Sequence, residues 1–190
     1  MNDKKITVNV SNRHIHLSQP DMERLFGAGH QLTKMKDLVQ PGEHACVETV
    51  TIAGPKRQIE KVRVLGPIRN ATQLEISMTD NVLIGADAPV RVSGDVAGSA
   101  PIKVIGPKGT VELEQGCIVA KRHVHMTTKD AARFGLKNNQ IIRISCSGER
   151  GLVFDNVVAR VSDRMALECH LDTDEANAAG LKNGNFITLI

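Results

Sequence analysis

The sequence predicts a mainly β protein with short helices, organised as two similar small β-barrel domains that arose by internal duplication. The tetrapeptide Arg-His-Ile-His at 13–16 returns as Arg-His-Val-His at 122–125. Each copy precedes a hydroxyl-bearing residue and a short amphipathic helix pattern, and alternating runs bounded by turn residues fill much of the remaining chain. Short strands closed by small helices are typical of a compact barrel, so each half is expected to form one.

The first half opens with a strand and a helix. Residues 6–10 have a strand-like pattern and lead into the first His-x-His pair. Ser18 is the expected N-cap of the helix, Pro20 lies in its first turn, and Gly27 ends it.

Two further strands are predicted at 47–52 and 59–65. The turn residues Gly54-Pro55 and Gly66-Pro67 are expected to bound these runs. This spacing is typical of a meander of short antiparallel strands.

A second similarity links residues 74–80 with residues 169–174. Each segment is expected to be a strand that ends in a Thr-Asp cap before another short helix. All the helices are expected to end at a glycine, because glycine tolerates the left-handed conformation found after a helix. These terminal glycines are Gly27, Gly85, Gly135 and Gly180.

The duplication places the two domains at 1–97 and 98–190. The small, polar and turn-rich segment Ser93–Pro101 is the candidate linker between them. The boundary is approximate, and the N-terminal strand has the option of pairing with the other barrel.

Bulk composition excludes several classes of function. Of 190 residues, 41% are hydrophobic, which is enough to bury an aliphatic core. Aromatic residues make up 2%, so few side chains can stack on bases, and the charge of +3 is dispersed, which argues against nucleic-acid binding. No apolar run is long enough for a membrane span. The four cysteines are widely spaced and are expected to be reduced, buried residues of a cytoplasmic protein.

The repeated His-x-His pairs are the strongest chemical signal in the sequence. Alternate side chains of a strand point to one face, about 7 Å apart, so one ion can bridge both imidazoles. The second similarity aligns Glu75 with His170 and adds a third donor to each half. A His₂Glu or His₃ set is typical of a catalytic zinc that keeps one coordination position open. The expected metal-binding sets are therefore His14, His16 and Glu75, and His123, His125 and His170.

Some of these residues also have a structural interpretation. Histidines can cap turns or form hydrogen bonds inside a core, although the matched third donors favour metal binding. His30 and His44 have no repeat partner and are interpreted as surface or loop residues. Arg13 and Arg122 are expected to point away from the paired histidines and to form salt bridges.

Arg69 is expected in a turn just ahead of the strand that carries Glu75. Its planar guanidinium binds phosphate oxygens in a geometry that lysine cannot reproduce. The alternative is a solvated loop arginine. The chain has neither the G-x-x-x-x-G-K-[ST] spacing of a phosphate loop nor a G-x-S-x-G nucleophile elbow, so the chemical argument depends on the metals. Gly106–Thr110 is interpreted as a hairpin turn.

These motifs resemble the PduL-type phosphate acyltransferases, a phosphotransacylase family associated with propanediol degradation and bacterial microcompartments. The resemblance runs from about Val8 to Ile190, and its marks are the segments 11–18, 64–69, 72–77 and 120–126 and the segment around His170. It implies two β-barrel domains with a dizinc site between them, and transfer of an acyl group between coenzyme A and inorganic phosphate. It also implies the following residue roles: His14, His16 and Glu75 bind one zinc ion, His123, His125 and His170 bind the other, and Arg69 is the active-site arginine.

The expected reaction converts acyl-CoA and phosphate reversibly to acyl phosphate and CoA, with propanoyl or acetyl as the acyl group. The zinc bound by His14, His16 and Glu75 is expected to bind the CoA sulfur, and Arg69 to orient the phosphate. Direct attack in a ternary complex is favoured, because Cys169 is expected to point into the core. The alternative enzyme is a dizinc hydrolase of thioesters or phosphoesters, and the non-enzymatic alternative is a zinc-stabilised scaffold.

The expected partners are the small molecules acyl-CoA and phosphate, with no nucleic acid and no membrane. A homodimer is compatible with a site at a domain interface. Family members that enter microcompartments carry an amphipathic N-terminal extension, whereas here only about a dozen residues precede the first motif. A free cytoplasmic enzyme is therefore expected, and association with a microcompartment shell is the less favoured alternative.

Overall fold

Strands form most of the regular structure, as the sequence predicts. The computed structural model describes residues 4–190, which contain fourteen strands and four short helices. In chain order these are β1 (Lys5–Ser11), β2 (His14–Ser18), α1 (Gln19–Phe26), β3 (Lys34–Asp37), β4 (His44–Ala53), β5 (Gln58–Arg69), β6 (Gln73–Ile76), α2 (Met78–Ile84), β7 (Val90–Arg91), β8 (Ala100–Ile105), β9 (Thr110–Ala120), β10 (His123–Met126), α3 (Thr128–Phe134), β11 (Ile141–Cys146), β12 (Leu152–Val161), β13 (Glu168–Asp172), α4 (Thr173–Ala179) and β14 (Phe186–Leu189). None of the helices in this part of the chain has the length and apolar character that a membrane crossing requires.

The chain divides into two compact units. The first unit contains the described residues up to Asn12, residues 39–41 and residues 121–190. The second unit contains residues 13–38 and 42–120. Each has its own aliphatic core, as the low aromatic content predicts.

A closed six-stranded barrel forms the first unit. Its strand order is β1-β13-β10-β12-β11-β14, and β14 pairs with β1 to close the ring. The pairs β1–β13 and β10–β12 are parallel, and the other pairs are antiparallel. Val8, Val124 and Leu171 are among the apolar side chains that fill its core.

The second unit is an eight-stranded sheet with the order β3-β4-β5-β2-β6-β9-β7, while β8 pairs with both β4 and β9. The pairings of β4, β5, β2, β6, β9 and β8 therefore also close on themselves. This ring has the same order of parallel and antiparallel pairs as the barrel of the first unit, and β3 and β7 are added to it. The predicted fold class, mainly β with short helices, is confirmed. The shared pairing pattern agrees with a duplication, which stays a prediction.

Strand membership divides the chain at different places from the expected boundary between residues 97 and 98. β1 pairs with β13 and β14, so the N-terminal strand belongs to the unit built mainly from the second half. β9 pairs with β6 and β8 and belongs to the other unit. The expected linker Ser93–Pro101 lies inside the second unit, because Ala100 and Pro101 already belong to β8.

Helix ends follow local sequence signals. The Ser18 side chain accepts a hydrogen bond from the Asp21 N–H and caps α1, as predicted. All four helices in residues 4–190 end at the predicted glycines. The predicted Thr-Asp caps are wrong, because Ser77 caps α2 and Asp172 caps α4. These residues are still extended and offer a side-chain oxygen, whereas the Thr-Asp pairs follow them inside the first turn.

Two predicted turns are confirmed and one is wrong. The Gly54 N–H donates to the Arg57 carbonyl, and the Gly106 N–H donates to the Gly109 carbonyl, so both segments close hairpins. Gly66-Pro67 does not bound a strand, because β5 continues to Arg69. The register against β2 shifts at this point, and a proline without an N–H is tolerated at such an irregularity.

Candidate metal centres

The strands β2 and β10 bury the side chains on both of their faces. In β2, Ile15 and Leu17 pack in the apolar core, while His14 and His16 point to the opposite face and are also buried. Val124 of β10 packs in the other core between two buried histidines. The alternation of a strand therefore separates packing residues from chemically competent residues in both units.

In the second unit, β2 and β6 bring the first predicted set together. These strands are antiparallel, and His14 lies directly opposite Glu75. The His14 Nε2 and the Glu75 Oε2 are 3.6 Å apart. With His16, the three side chains offer donor atoms that all lie within 4.8 Å of one another.

In the first unit, β10 and β13 bring the second predicted donor set together. His123 lies directly opposite His170 in an antiparallel pair. The Nε2 atoms of His123 and His125 are 2.8 Å apart, and the His170 ring centroid lies 4.7 Å from that of His125. Donor atoms of the three histidines again lie within 4.8 Å of one another. The cross-strand position of Glu75 in one unit is thus the position of His170 in the other.

Both groups contain neutral imidazoles. Burial, the His14 ring and the Arg69 guanidinium lower the pKa of His16 to about 2. Burial and the neighbouring His123 and His170 rings lower the pKa of His125 to about 2. A neutral imidazole is the form that binds a metal ion, because one of its ring nitrogens keeps a lone pair.

Buried histidine ring nitrogens without hydrogen-bond partners also favour metal binding. The Nδ1 atoms of His16 and His125 are buried and have no hydrogen-bond partner. Such atoms are costly unless the ring is held by some other interaction. The His123 Nδ1 lies 2.8 Å from the Lys121 carbonyl oxygen, and this contact fixes the proton on Nδ1 and the lone pair on Nε2. The donor types and their spacing in both groups fit zinc.

Further side chains support the third donor of each group, although no sequence motif predicted them. The Gln73 amide and the Ser93 hydroxyl both donate to Glu75 Oε1, each at 2.6 Å. In the other unit, the Glu168 carboxylate lies 2.7 Å from His170 Nε2. Gln73 and Glu168 each lie two residues before the third donor, on the same face of the strand. That spacing is the signal by which they could have been found.

The Glu168 carboxylate is held in its ionised form. Burial raises its pKa, but hydrogen bonds from His170 and from Gln40 outweigh burial and lower the pKa below its ordinary value. Glu168 is 2% exposed. A buried carboxylate therefore faces the ring of a predicted metal ligand.

Arg69 is the last residue of β5 and not part of a turn, which corrects its expected position. The irregular register around Gly66-Pro67 lets the strand continue to this point. An Arg69 Nη2 atom lies 2.9 Å from Glu43 Oε1, so a carboxylate holds one side of the guanidinium. Arg69 is close enough to His16 to lower the pKa of that ring, which places a planar cation beside the first group.

The arginines that precede the histidine pairs form salt bridges, as predicted. Arg13 Nε lies 2.7 Å from Asp80 Oδ2, and Arg122 Nε lies 3.0 Å from Glu175 Oε1. Both carboxylates come from the first turn of the helix that follows the third donor. These ion pairs tie that helix to the start of the histidine strand in each unit.

The remaining predictions concern residues outside the two groups. His30 lies 3.1 Å from Glu48 and is partly exposed, while His44 begins β4 and packs against Gly66. All four cysteines are buried and none forms a disulfide. Cys169 is among the residues of the first core, as expected, and burial raises the pKa of its thiol.

The chain is similar to known proteins over nearly its whole length. A sequence model of the phosphate propanoyltransferase family matches residues 7–182. The chain is 53% identical over 186 residues to the phosphate propanoyltransferase of Thermotoga maritima, covering 97% of this chain and 89% of that protein. It is 51% identical over 185 residues to that of Clostridioides difficile, covering 97% and 88%, and 48% identical over 184 residues to that of Salmonella typhimurium, covering 96% and 87%. The resemblance seen in the sequence motifs is confirmed. The chain therefore belongs to the phosphate propanoyltransferase family and is an acyltransferase.

Proposed function

We propose that this acyltransferase moves a propanoyl or acetyl group between coenzyme A and inorganic phosphate, using two zinc ions. His14, His16 and Glu75 bind one ion, and His123, His125 and His170 bind the other. The relatives named above support the acyl group and phosphate as substrates. Coenzyme A and the two metals go beyond those names and follow from the chemistry of the donor sets.

The matched cross-strand register of the two groups is the observation that carries the proposal. His14 faces Glu75 and His123 faces His170 in equivalent antiparallel pairs. Each group supplies three protein donors of a kind that zinc prefers, and structural zinc is usually closed by four. Three donors leave a coordination position for a substrate.

The reaction needs a good leaving group and an oriented nucleophile. A phosphate oxygen forms a bond to the thioester carbonyl carbon, the carbon–sulfur bond breaks, and the sulfur leaves with the bond electrons as the CoA thiolate. Zinc supplies a Lewis acid that stabilises this thiolate and the negative charge on the carbonyl oxygen. The two metal sites would differ in net charge, because Glu75 adds a carboxylate to one donor set and the other set has only neutral imidazoles.

Arg69 supplies the phosphate-orienting group in this proposal. Its guanidinium carries a fixed positive charge, and Glu43 restrains it from one side at 2.9 Å. A restrained planar fork can hold two phosphate oxygens and so aim another phosphate oxygen at the carbonyl carbon. It also offsets the charge that gathers on the tetrahedral intermediate.

Direct transfer is the expected route, because the cysteine nearest the histidine groups in sequence is unsuited to carry an acyl group. Cys169 is 0% exposed and lies in the apolar core, and its thiol pKa is raised. Initial rates measured with both substrates varied should give intersecting double-reciprocal lines. Parallel lines would contradict a ternary complex.

Metal analysis combined with a CoA-release assay tests the proposal. We expect two zinc ions per chain and release of free CoA from propanoyl-CoA that depends on phosphate and yields propanoyl phosphate. Release at the same rate without phosphate would instead identify a dizinc hydrolase. Two tightly bound zinc ions with no turnover, and no change in the absorption of cobalt-substituted protein on adding a thiol, would identify a structural role.

Variants of the proposed ligands complete the test. His14→Ala and His125→Ala should each abolish transfer while the circular dichroism spectrum stays that of a folded β protein. Unchanged turnover in either variant would rule out the proposed site. The proposal places the enzyme in the cytoplasm, since four buried and unpaired cysteines suit a reducing compartment.

A further inference from the structure

Glu168 is a buried carboxylate with an unusually complete set of hydrogen-bond partners. It is 2% exposed, and its Oε1 accepts from the Asn9 amide at 3.3 Å. Its Oε2 accepts from the Gln40 amide at 3.1 Å and lies 2.7 Å from the Nε2 atom of His170. Burial of a charge at this depth is costly unless the charge is paired. His170 is the one ionisable partner in this set.

Hydrogen-bond chemistry determines which nitrogen of His170 is available. An ionised carboxylate can only accept, so the His170 Nε2 must carry the proton in this contact. The lone pair of the neutral ring is then on Nδ1. In the same group, His123 has the opposite tautomer, because its Nδ1 donates to the Lys121 carbonyl. Protein contacts therefore select the donor nitrogen of at least two of the three rings.

Gln40 makes the position of Glu168 rigid. The Gln40 side-chain amide exchanges two hydrogen bonds with the backbone of Ala166, donating to its oxygen and accepting from its nitrogen, each at 3.2 Å. Its Nε2 also donates to Glu168. Gln40 is itself buried at 6% exposure. Because Ala166 holds this amide, the Gln40–Glu168 hydrogen bond restrains the carboxylate beside His170.

The equivalent position in the other unit has the opposite hydrogen-bonding character. Gln73 lies opposite His16 as Glu168 lies opposite His125. Gln73 donates to the carboxylate Glu75, while Glu168 accepts from the imidazole His170. Each unit thus has one carboxylate in this pair of positions. In the second unit this carboxylate is Glu75, a proposed ligand. In the first unit it is Glu168, which contacts the proposed ligand His170.

We propose that Glu168 is the positioning residue of His170, selecting Nδ1 as its metal-binding atom and supplying the negative charge that the three-histidine set lacks. This inference rests on the proposed function in that it requires a zinc ion at His123, His125 and His170. A carboxylate behind a ligating histidine orients the ring and raises its basicity. Glu168 would therefore determine how tightly the second zinc is held.

Zinc affinity of the full-length protein tests the proposal, measured by competition with a chromophoric chelator. We expect Glu168→Ala to lower the affinity for one of the two zinc ions by about 10- to 100-fold and to leave the affinity for the other unchanged. Glu168→Gln should recover part of the loss, because the amide oxygen accepts the same hydrogen bond without the charge. Glu175→Gln is the matched control, since Glu175 is a mainly buried carboxylate of the same unit paired with Arg122. It should bind both ions normally.

Histidine nitrogen NMR of the zinc-loaded protein gives a readout that a purely structural role would not change. We expect His170, assigned by its loss in His170→Asn, to bind through Nδ1 with a proton on Nε2. Binding through Nε2, or equal zinc affinity in Glu168→Ala and the unmodified protein, would overturn the proposal. If the unmodified protein binds two zinc ions and only these results fail, the proposed function still stands. If it binds none, both are overturned.

Discussion

His14 and Glu75 face each other across the antiparallel strands β2 and β6, with Nε2 and Oε2 3.6 Å apart. The two residues are far apart in the chain, and only strand pairing brings them together. His123 and His170 repeat this relationship in the other unit.

Glu75→Gln should remove one zinc ion and stop transfer. The amide is a poor ligand, and loss of a direct donor should weaken binding by at least the 10- to 100-fold range known for outer partners. Zinc content after dialysis against a chelator measures this. The control is Glu48→Gln, because Glu48 forms a similar carboxylate–imidazole pair with His30 at 3.1 Å outside the group. Equal zinc content in Glu75→Gln and the unmodified protein would exclude Glu75 as a ligand.

Arg69→Lys should reduce turnover by about 100-fold or more, the effect expected when a preorganised donor to developing charge is lost. Lysine keeps the charge but not the planar fork. Steady-state kinetics with phosphate varied should show the loss in kcat together with a raised KM for phosphate. Arg63→Lys is the control on the same strand, since Arg63 donates hydrogen bonds to the backbone carbonyls of Cys46 and Val47. Similar losses in both variants would point to damage to β5 instead.

Ser93→Ala should lower the affinity for one zinc ion by about 10-fold without unfolding the protein. The Ser93 hydroxyl donates to Glu75 Oε1 at 2.6 Å and accepts from the Gln73 amide at 3.0 Å, so it orients the carboxylate. Chelator competition measures the change. Ser99→Ala, a buried serine of the same segment that bonds to Val96 and Gly116, should leave zinc affinity unchanged. The prediction fails if the two alanine variants bind zinc equally.

Cys169→Ala should keep turnover within about twofold and reduce the free energy of unfolding by about 1 kcal/mol, an ordinary core substitution. The thiol is fully buried, and its raised pKa keeps it protonated. Initial rates and urea unfolding check the two expectations. Cys117→Ala is the matched control, because Cys117 is equally buried in the other core and burial raises its thiol pKa to about 12. Loss of transfer in Cys169→Ala alone would indicate an acyl-enzyme.

Glu175 should make the protein less stable as pH rises from about 4 to about 7. Burial and the Asp172 charge raise the pKa of Glu175 to about 7 against the opposing effect of Arg122, while an unfolded glutamate ionises near about 4.3. Between these values the folded state holds a proton that the unfolded state releases, so the free energy of unfolding falls with rising pH. The contribution is about 4 kcal/mol at most, at about 1.4 kcal/mol for each pKa unit.

Urea unfolding at pH 5 and pH 8 measures this contribution as the difference between the unmodified protein and Glu175→Gln. The glutamine variant cannot ionise, so its stability should fall less over this interval. Asp155→Asn removes a carboxylate from an exposed pair with Arg143 and should follow the unmodified protein. A parallel pH dependence of Glu175→Gln and the unmodified protein would be evidence against the shift.

Residue spacing predicted the two histidine pairs because the relevant geometry is local. The His-x-His pairs lie on one strand, where alternation alone directs both rings to one face. The same holds for the Ser18 cap and for the terminal glycines such as Gly27, which act on groups within one turn. Even Arg13 was assigned correctly to a salt bridge, since its neighbour His14 determines the opposite face.

Local patterns failed where another strand or a neighbouring residue made the decision. Gly66-Pro67 has the composition of a turn, but pairing with β2 carries the strand onward to Arg69. Thr79 and Asp80 have capping side chains, but Ser77 comes first and takes the role. In both places a tertiary or competing local hydrogen bond outweighed an average preference.

The chain order of donors, caps and apolar positions is enough to identify two histidine groups, a β fold and the family. Pairing across the fold decided which strand completes each ring, how β1 and β9 are assigned, and which side chains stand behind the third donors. Gln40 contacts Glu168, which lies 128 positions further along the chain, and no periodicity of the sequence encodes such a contact. Hydrogen bonds between distant segments form only when a shared core brings the strands into register, so the support of each proposed metal centre belongs to the tertiary structure.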